Sequence, residues 1–127
     1  MRFNTLKERM EYFRSLTDYK LIPNSYVIVM LDGRGFSKTV KRLFRQPFDD
    51  AFMDMMNGVA KYLCENVQCV KTAFVQSDEI SLVLNDFETD TTESFFAYRL
   101  CKLQSVIAGM ASTVFNDLYI VFKIIIY

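Results

Sequence analysis

Three acids could do chemistry together in this chain: Asp32, and the adjacent pair Asp78 and Glu79. Asp32 directly follows Tyr26–Leu31, an unbroken apolar run of strand length that reads as a buried strand. Behind it come Gly33, Arg34, Gly35, Phe36, Ser37 and Lys38. A carboxylate at the mouth of a buried strand, then flexible backbone, then bases, can hold a metal ion and a phosphate. Asp32 taken alone reads more readily as a turn residue. Asp78 and Glu79 could likewise be polar residues at a hairpin tip, with Ser77 as turn former. Between Ser37 and Gln46 stand Lys38, Lys41, Arg42 and Arg45 without an acid, and Arg34 makes five positive charges before Asp49. Such a run is either a solvated loop or short exposed helix, or a phosphate-binding arm beside Asp32.

The rest of the composition narrows the chemistry. The chain has 127 residues, enough for one domain, and 51% of them are apolar, which excludes a disordered chain. It has no histidine, so His-based general bases, Ser-His-Asp triads and His-ligated zinc are excluded. The three cysteines, Cys64, Cys69 and Cys101, contain no C-x-x-C pair; reduced thiols in a cytoplasmic protein are the simplest account. Lys plus Arg and Asp plus Glu number 15 each, so any basic site must come from local clustering. The N-terminus is too charged for a secretory signal, and no apolar run reaches the length of a membrane span, so no membrane partner is expected.

The elements that position these residues follow from periodicity. Thr5 to Glu8 fits a capping box, predicting a helix over about 5–16. Pro23 and Asn24 turn the chain into the first strand. Pro47 and Asp49 open a helix whose apolar stripe is Phe48, Phe52, Met55, Val59 and Leu63. Val70–Gln76 and Ile80–Leu84 read as two strands of a hairpin with Gln76-Ser77-Asp78-Glu79 at its tip. Ser94 leads a long helix with a stripe of Phe96, Leu100, Leu103, Ile107, Met110 and Val114; Gly109 inside it suggests a close helix–sheet contact. Tyr119–Tyr127 is strand-like in composition and by pattern would add a fourth strand.

This order, a helix and then β-α-β-β-α-β, is that of an α+β, ferredoxin-like split β-α-β unit. Right-handed crossover makes the first two strands parallel, with the third between them and antiparallel to both. Asp32 and the hairpin tip then arrive at one edge of the sheet. Carboxylates within about 4–6 Å of each other repel by on the order of 3–4 kcal/mol per pair at an effective dielectric of 20. Either one takes up a proton or a hard cation sits between them, and oxygen donors of this kind suit Mg²⁺. Two such ions would form a clamp for phosphoryl transfer.

Leu-Asp-Gly-Arg-Gly-Phe-Ser-Lys (31–38), Pro-Phe-Asp (47–49) and Gln-Ser-Asp-Glu-Ile-Ser (76–81) resemble the tRNA-His guanylyltransferase family, and within it the Thg1-like branch. Lys102-Leu103-Gln104-Ser105-Val106 with Ala108-Gly109 is similar to that branch's long helix. The likeness extends from about Phe3 to Leu118. It implies a polymerase-type palm, a single domain over 1–127, that adds nucleotides 3′ to 5′ at the 5′ end of tRNA. The partners it implies are tRNA, ATP and GTP, and a homo-tetramer; the cofactor it implies is Mg²⁺, two ions. Carried over by position, Asp32 and Asp78 would be metal ligands with the Gly33 carbonyl as a third, and Glu79 would support them. Ser77 would help position the activated 5′ end. Gly33, Arg34, Gly35, Phe36, Ser37 and Lys38 would hold a triphosphate, with Lys41, Arg42 and Arg45 as candidate phosphate or tRNA contacts. Two features depart from the family pattern. Gln46 stands where the family often has lysine, and Tyr119–Tyr127 does not match the strand that follows the long helix. The family's C-terminal part, missing here after about residue 118, carries tRNA contacts. The alternative reading is therefore a catalytically incomplete palm that binds nucleotide or assembles with a partner.

Overall fold

A computed structural model of the protein describes residues 1–36, 38, 42 and 50–126, the last seven (120–126) by backbone alone. The elements in chain order are α1 (Leu6–Ser15), β1 (Tyr26–Asp32), α2 (Asp50–Asn66), β2 (Val70–Gln76), β3 (Glu79–Asn85), a 3₁₀ turn (Phe95–Tyr98) and α3 (Leu100–Ile126). The sheet order is β1-β3-β2, and β3 is antiparallel to both neighbours. The first two strands are therefore parallel, joined by the crossover that contains α2. This is the mixed α+β, ferredoxin-like arrangement expected from the element order.

Thr5 caps α1: its hydroxyl accepts from the Glu8 N–H at 3.1 Å. Glu8 reaches back one residue further than a capping box requires, accepting from the Asn4 N–H at 2.9 Å. α2 and α3 lie side by side on one face of the sheet, α2 against β2 and α3 against β1. Between them and the sheet lies the core: Phe52, Met55, Val59 and Leu63 from α2, Ile80, Leu82 and Leu84 from β3, Leu103 and Ile107 from α3. The predicted α2 stripe is thus buried from Phe52 onward; Phe48, Pro47 and Asp49 lie outside the described residues.

Four expectations are corrected. β1 is not buried on both faces. Val27, Val29 and Leu31 face the helices, but Tyr26, Ile28 and Met30 are 65%, 65% and 71% exposed. Among the described residues the helices cover one face of the sheet, so a continuous apolar run is half solvated. Among the described residues no fourth strand forms from Tyr119 onward, because α3 continues to Ile126. No Gly or Pro interrupts residues 110–126, and each residue added to an existing helix gains one backbone hydrogen bond. The long helix begins at Leu100 rather than Ser94, because Phe96, Ala97 and Tyr98 have φ of 50°, 51° and 56°. Left-handed backbone in three successive L-residues cannot propagate a right-handed helix. Finally, Gly109 makes no close contact; a Cβ there would meet nothing within 4 Å. The close approach is at Gly58, where a Cβ would come within 3.0 Å of Leu118.

The left-handed turn is held from outside. Leu21 N–H donates to the Tyr98 carbonyl and Leu100 N–H to the Tyr19 carbonyl, both at 2.9 Å. The Arg99 guanidinium donates to Asp18 at 2.9 Å. The segment before β1 is stitched by these bonds to the start of α3.

Candidate functional site

The antiparallel ladder sets the geometry of the site. Asp32 ends β1 opposite Glu79, which begins β3, and Glu79 also pairs with Gln76 across the hairpin. Ser77 and Asp78 form the two-residue turn. Ser77 takes φ of 54°, a left-handed value at a turn position that usually has glycine. The Gly33 N–H donates to the Asp78 carbonyl at 3.2 Å, which ties the exit from β1 to the turn. The structure therefore brings Asp32, Gly33, Ser77, Asp78 and Glu79 to one sheet edge.

Below that edge is a recess of about 370 Å³. Asp32, Asp78, Gly33 and Arg34 are at its mouth, and Leu31, Met56, Val59, Ile80 and Phe115 are among its apolar walls. Glu79 and Ser77 do not line it. Glu79 shares a sheet face with its register partner Asp32, and like charges placed directly opposite repel. Among the described residues no three Asp, Glu, Cys or His converge as an all-protein metal cage. Mg²⁺ needs no such cage: it is commonly held by one or two carboxylates together with substrate phosphates. The hard oxygens of Asp32 and Asp78 at a shared mouth fit that ion.

The glycines after Asp32 shape the recess. A Cβ on Gly33 would lie 2.2 Å from the Phe36 ring, so only glycine lets that ring fold back under the strand end. Phe36 in turn packs on Phe115 and Phe52, with ring centroids 5.1 and 6.3 Å away. Gly35 has φ of 64°. It turns the chain so that the Lys38 N–H reaches the Gly35 carbonyl at 3.2 Å. Arg34, Lys38 and Arg42 are exposed; Ser37, Lys41 and Arg45 lie outside the described residues.

Ser112 and Asn116 also line the recess, from α3. Sequence reasoning passed over them because it followed the apolar stripe of that helix. The signal was the i, i+4 series Ala108, Ser112, Asn116, which lies beside the stripe and shares a face with it.

A second polar cluster lies at the far end of the sheet. Asp86 is buried, one of its oxygens accepting from the Asn24 N–H at 3.1 Å. Its other oxygen has no hydrogen-bond partner among the described residues. The buried Tyr98 phenol donates to the Ser25 carbonyl at 3.3 Å. Burial, then the nearby Cys69 and Asp86, push its pKa well above the usual tyrosine range. Burial, with Glu65 beside it, raises the Cys64 thiol. The hydrogen bond from Arg99 holds the Asp18 carboxyl below its ordinary range. Asp86, Tyr98 and Arg99 anchor the segment before β1, away from the carboxylate edge.

A family described as "Thg1: tRNAHis guanylyltransferase" matches residues 7–123. The chain belongs to the Thg1 family. The tRNA(His) guanylyltransferase of Neurospora crassa is 36% identical over 90 residues, which are 70% of this chain and 29% of that protein. A bacterial Thg1-like protein solved in complex with GTP superimposes with a TM-score of 0.84 at 33% identity, over 90% of this chain and 52% of that one. The bacterial Thg1-like protein in complex with ATP gives the same TM-score and identity, over 91% and 50%. The chain thus spans about half of these Thg1-like structures and under a third of the fungal relative. The palm-type fold of the family is the fold of this chain. Among the described residues no helix is long and apolar enough to cross a membrane.

Proposed function

We propose that this chain carries the palm of a metal-dependent nucleotidyltransferase that adds nucleotides 3′ to 5′ at the 5′ end of tRNA in the cytoplasm. The observation that supports it most is the placing of Asp32 and Asp78 at the mouth of one recess, on a chain of the Thg1 family. In this reading a tRNA 5′-monophosphate attacks the α-phosphorus of ATP and releases pyrophosphate. The 3′-hydroxyl of an incoming GTP then attacks the activated 5′ phosphorus, and AMP leaves; from a 5′-triphosphate, pyrophosphate leaves instead.

Asp32 and Asp78 would hold Mg²⁺, as a pair of ions, with the Gly33 carbonyl as a further donor. Such a metal would supply a lowered pKa at the attacking hydroxyl and offset charge on the leaving group. Glu79 supports Asp32 across the ladder. Arg34, which lines the recess, and the exposed Lys38 offset the charge of a triphosphate, with the backbone of 33–38 as its cradle. Ser77 positions the activated 5′ end. Lys41, Arg42 and Arg45 extend the basic arm toward tRNA, and a homo-tetramer is the expected assembly.

The test is extension of a 5′-truncated tRNA with Mg²⁺, ATP and labelled GTP. The expected result is a labelled, lengthened tRNA with the intact chain and none with Asp78→Ala. The chain spans about half of the Thg1-like structures, which favours a second reading, a palm that binds nucleotide without completing transfer. Nucleotide binding without extension would select it. Equal extension by the wild type and Asp78→Ala would sink the site.

A further inference from the structure

We propose that Ser112 and Asn116 read the base of the bound nucleoside triphosphate, making the face of α3 beside the recess a purine-specificity element. The inference rests on the nucleotidyltransferase reading and adds to it which end of the nucleotide α3 receives.

Of the α3 residues that line the recess, Ser112 and Asn116 are the two with hydrogen-bonding side chains. Both are exposed, and neither side chain has a hydrogen bond among the described residues. The neighbouring hydroxyls on the same helix behave differently. Ser105 donates to the Cys101 carbonyl at 2.6 Å and Thr113 to the Gly109 carbonyl at 2.9 Å, each satisfied within its own helix. Away from the recess, then, α3 hydroxyls turn back on the backbone, as serine and threonine commonly do. At the recess the hydrogen-bonding capacity is unspent.

The remaining lining says what would use it. Leu31, Met56, Val59 and Ile80 offer an apolar slot, and the Phe115 ring, packed on Phe36 and Phe52, adds an aromatic wall. A volume of about 370 Å³ is near the small end of ligand pockets, which run to roughly 300–1,000 Å³. It suits a flat base and its sugar, and leaves the charged phosphates at the mouth with Asp32, Asp78 and Arg34. A carboxamide presents a donor and an acceptor side by side and pairs bidentately with a purine edge. Apolar and aromatic contact alone would accept any base; the amide of Asn116 supplies the polar discrimination, and the hydroxyl of Ser112 adds one further bond.

The experiment compares the Mg²⁺-dependent affinities of GTP, ATP and inorganic tripolyphosphate by titration calorimetry, for the wild type, Asn116→Ala, Asn116→Asp and Ser112→Ala. Both positions are exposed and helical, so alanine leaves the helix intact, and the melting temperature checks this. Asn116→Ala is expected to weaken the purine nucleotides about tenfold, and Ser112→Ala to weaken them less. Asn116→Asp keeps the size, loses the donor and shifts the GTP-to-ATP preference. Tripolyphosphate affinity stays unchanged throughout. Wild-type nucleotide affinity in Asn116→Ala, or an equal loss for tripolyphosphate, would overturn the assignment and leave the nucleotidyltransferase reading standing. A wild-type chain that binds no triphosphate at all would overturn both.

Discussion

Asp32, the last residue of β1, and Glu79, the first of β3, are direct partners across the antiparallel ladder. The pair places two negative charges on one face of the sheet, beside a turn that adds Asp78. Removing a charge from it should relax the metal-free protein and weaken the metal-bound one. Glu79→Gln is expected to raise stability without Mg²⁺ by up to about 1 kcal/mol, and to reduce the further gain on adding Mg²⁺. Asp32→Ala and Asp78→Ala should abolish both the Mg²⁺ gain and nucleotide transfer while the chain still folds. Thermal melts with and without Mg²⁺, run beside the extension assay, check all three. A Mg²⁺-induced shift that survives in Asp78→Ala would remove that residue from the metal site.

Gly33 and Gly35 are both required, for different reasons. A methyl at position 33 runs into the Phe36 ring, whereas at position 35 it meets open space but a left-handed φ of 64°. Gly33→Ala is expected to cost roughly 1–3 kcal/mol by displacing the ring, and to lower nucleotide affinity because the recess changes shape. Gly35→Ala should cost about 1 kcal/mol through backbone strain alone. Urea denaturation separates the two stabilities, and nucleotide titration shows whether the first effect reaches the recess.

The helical glycines are also unequal. Gly109 is exposed with no atom near a built Cβ, so Gly109→Ala should stabilise by about 1 kcal/mol. Gly58→Ala gains the same helix propensity but pushes on Leu118, so its stabilisation should be smaller, and Gly58→Leu should destabilise by roughly 1–3 kcal/mol. Melting temperatures of the three variants rank them; a Gly58→Leu variant as stable as the wild type would mean that α2 and α3 do not meet there.

The Asp18–Arg99 pair makes stability pH-dependent at the acid end. Arg99 lowers the folded-state pKa of Asp18, so the native chain holds its carboxylate more firmly than the unfolded chain does. The stabilisation is present above the unfolded value of about 3.9 and is lost as pH falls through the lower folded value. Asp18→Asn should therefore be less stable than the wild type at pH 7, and the gap should close on acidification below about pH 4. Chemical denaturation at a series of pH values measures it, and a gap independent of pH would assign the loss to packing.

Much of the site was legible from residue order. An apolar run ending on Asp32, a helical period, then two strands meeting at Ser77-Asp78 leaves few topologies, because crossovers are right-handed. The same topology brings the acids to one edge of the sheet. It could not separate the two acids at the recess mouth from Glu79, which depends on which side of a tight turn each carboxylate occupies. Nor did it find Ser112 and Asn116, because a helix shows its apolar face in sequence but not what stands across from its flanks.

Local pattern alone settled the Thr5 cap, the α2 stripe from Phe52 onward, the hairpin and the absence of histidine from this chain, since these depend on residue type and on neighbours within a turn or two. Contacts between distant segments decided the rest. Residues 119–126 are apolar and β-branched enough to read as strand, yet they extend a helix that is already nucleated. Phe96, Ala97 and Tyr98 adopt left-handed backbone beside bonds from Tyr19 and Leu21, far earlier in the chain. Short apolar runs and strained turns take their conformation from the surfaces that meet them, and those surfaces exist only once the chain has folded.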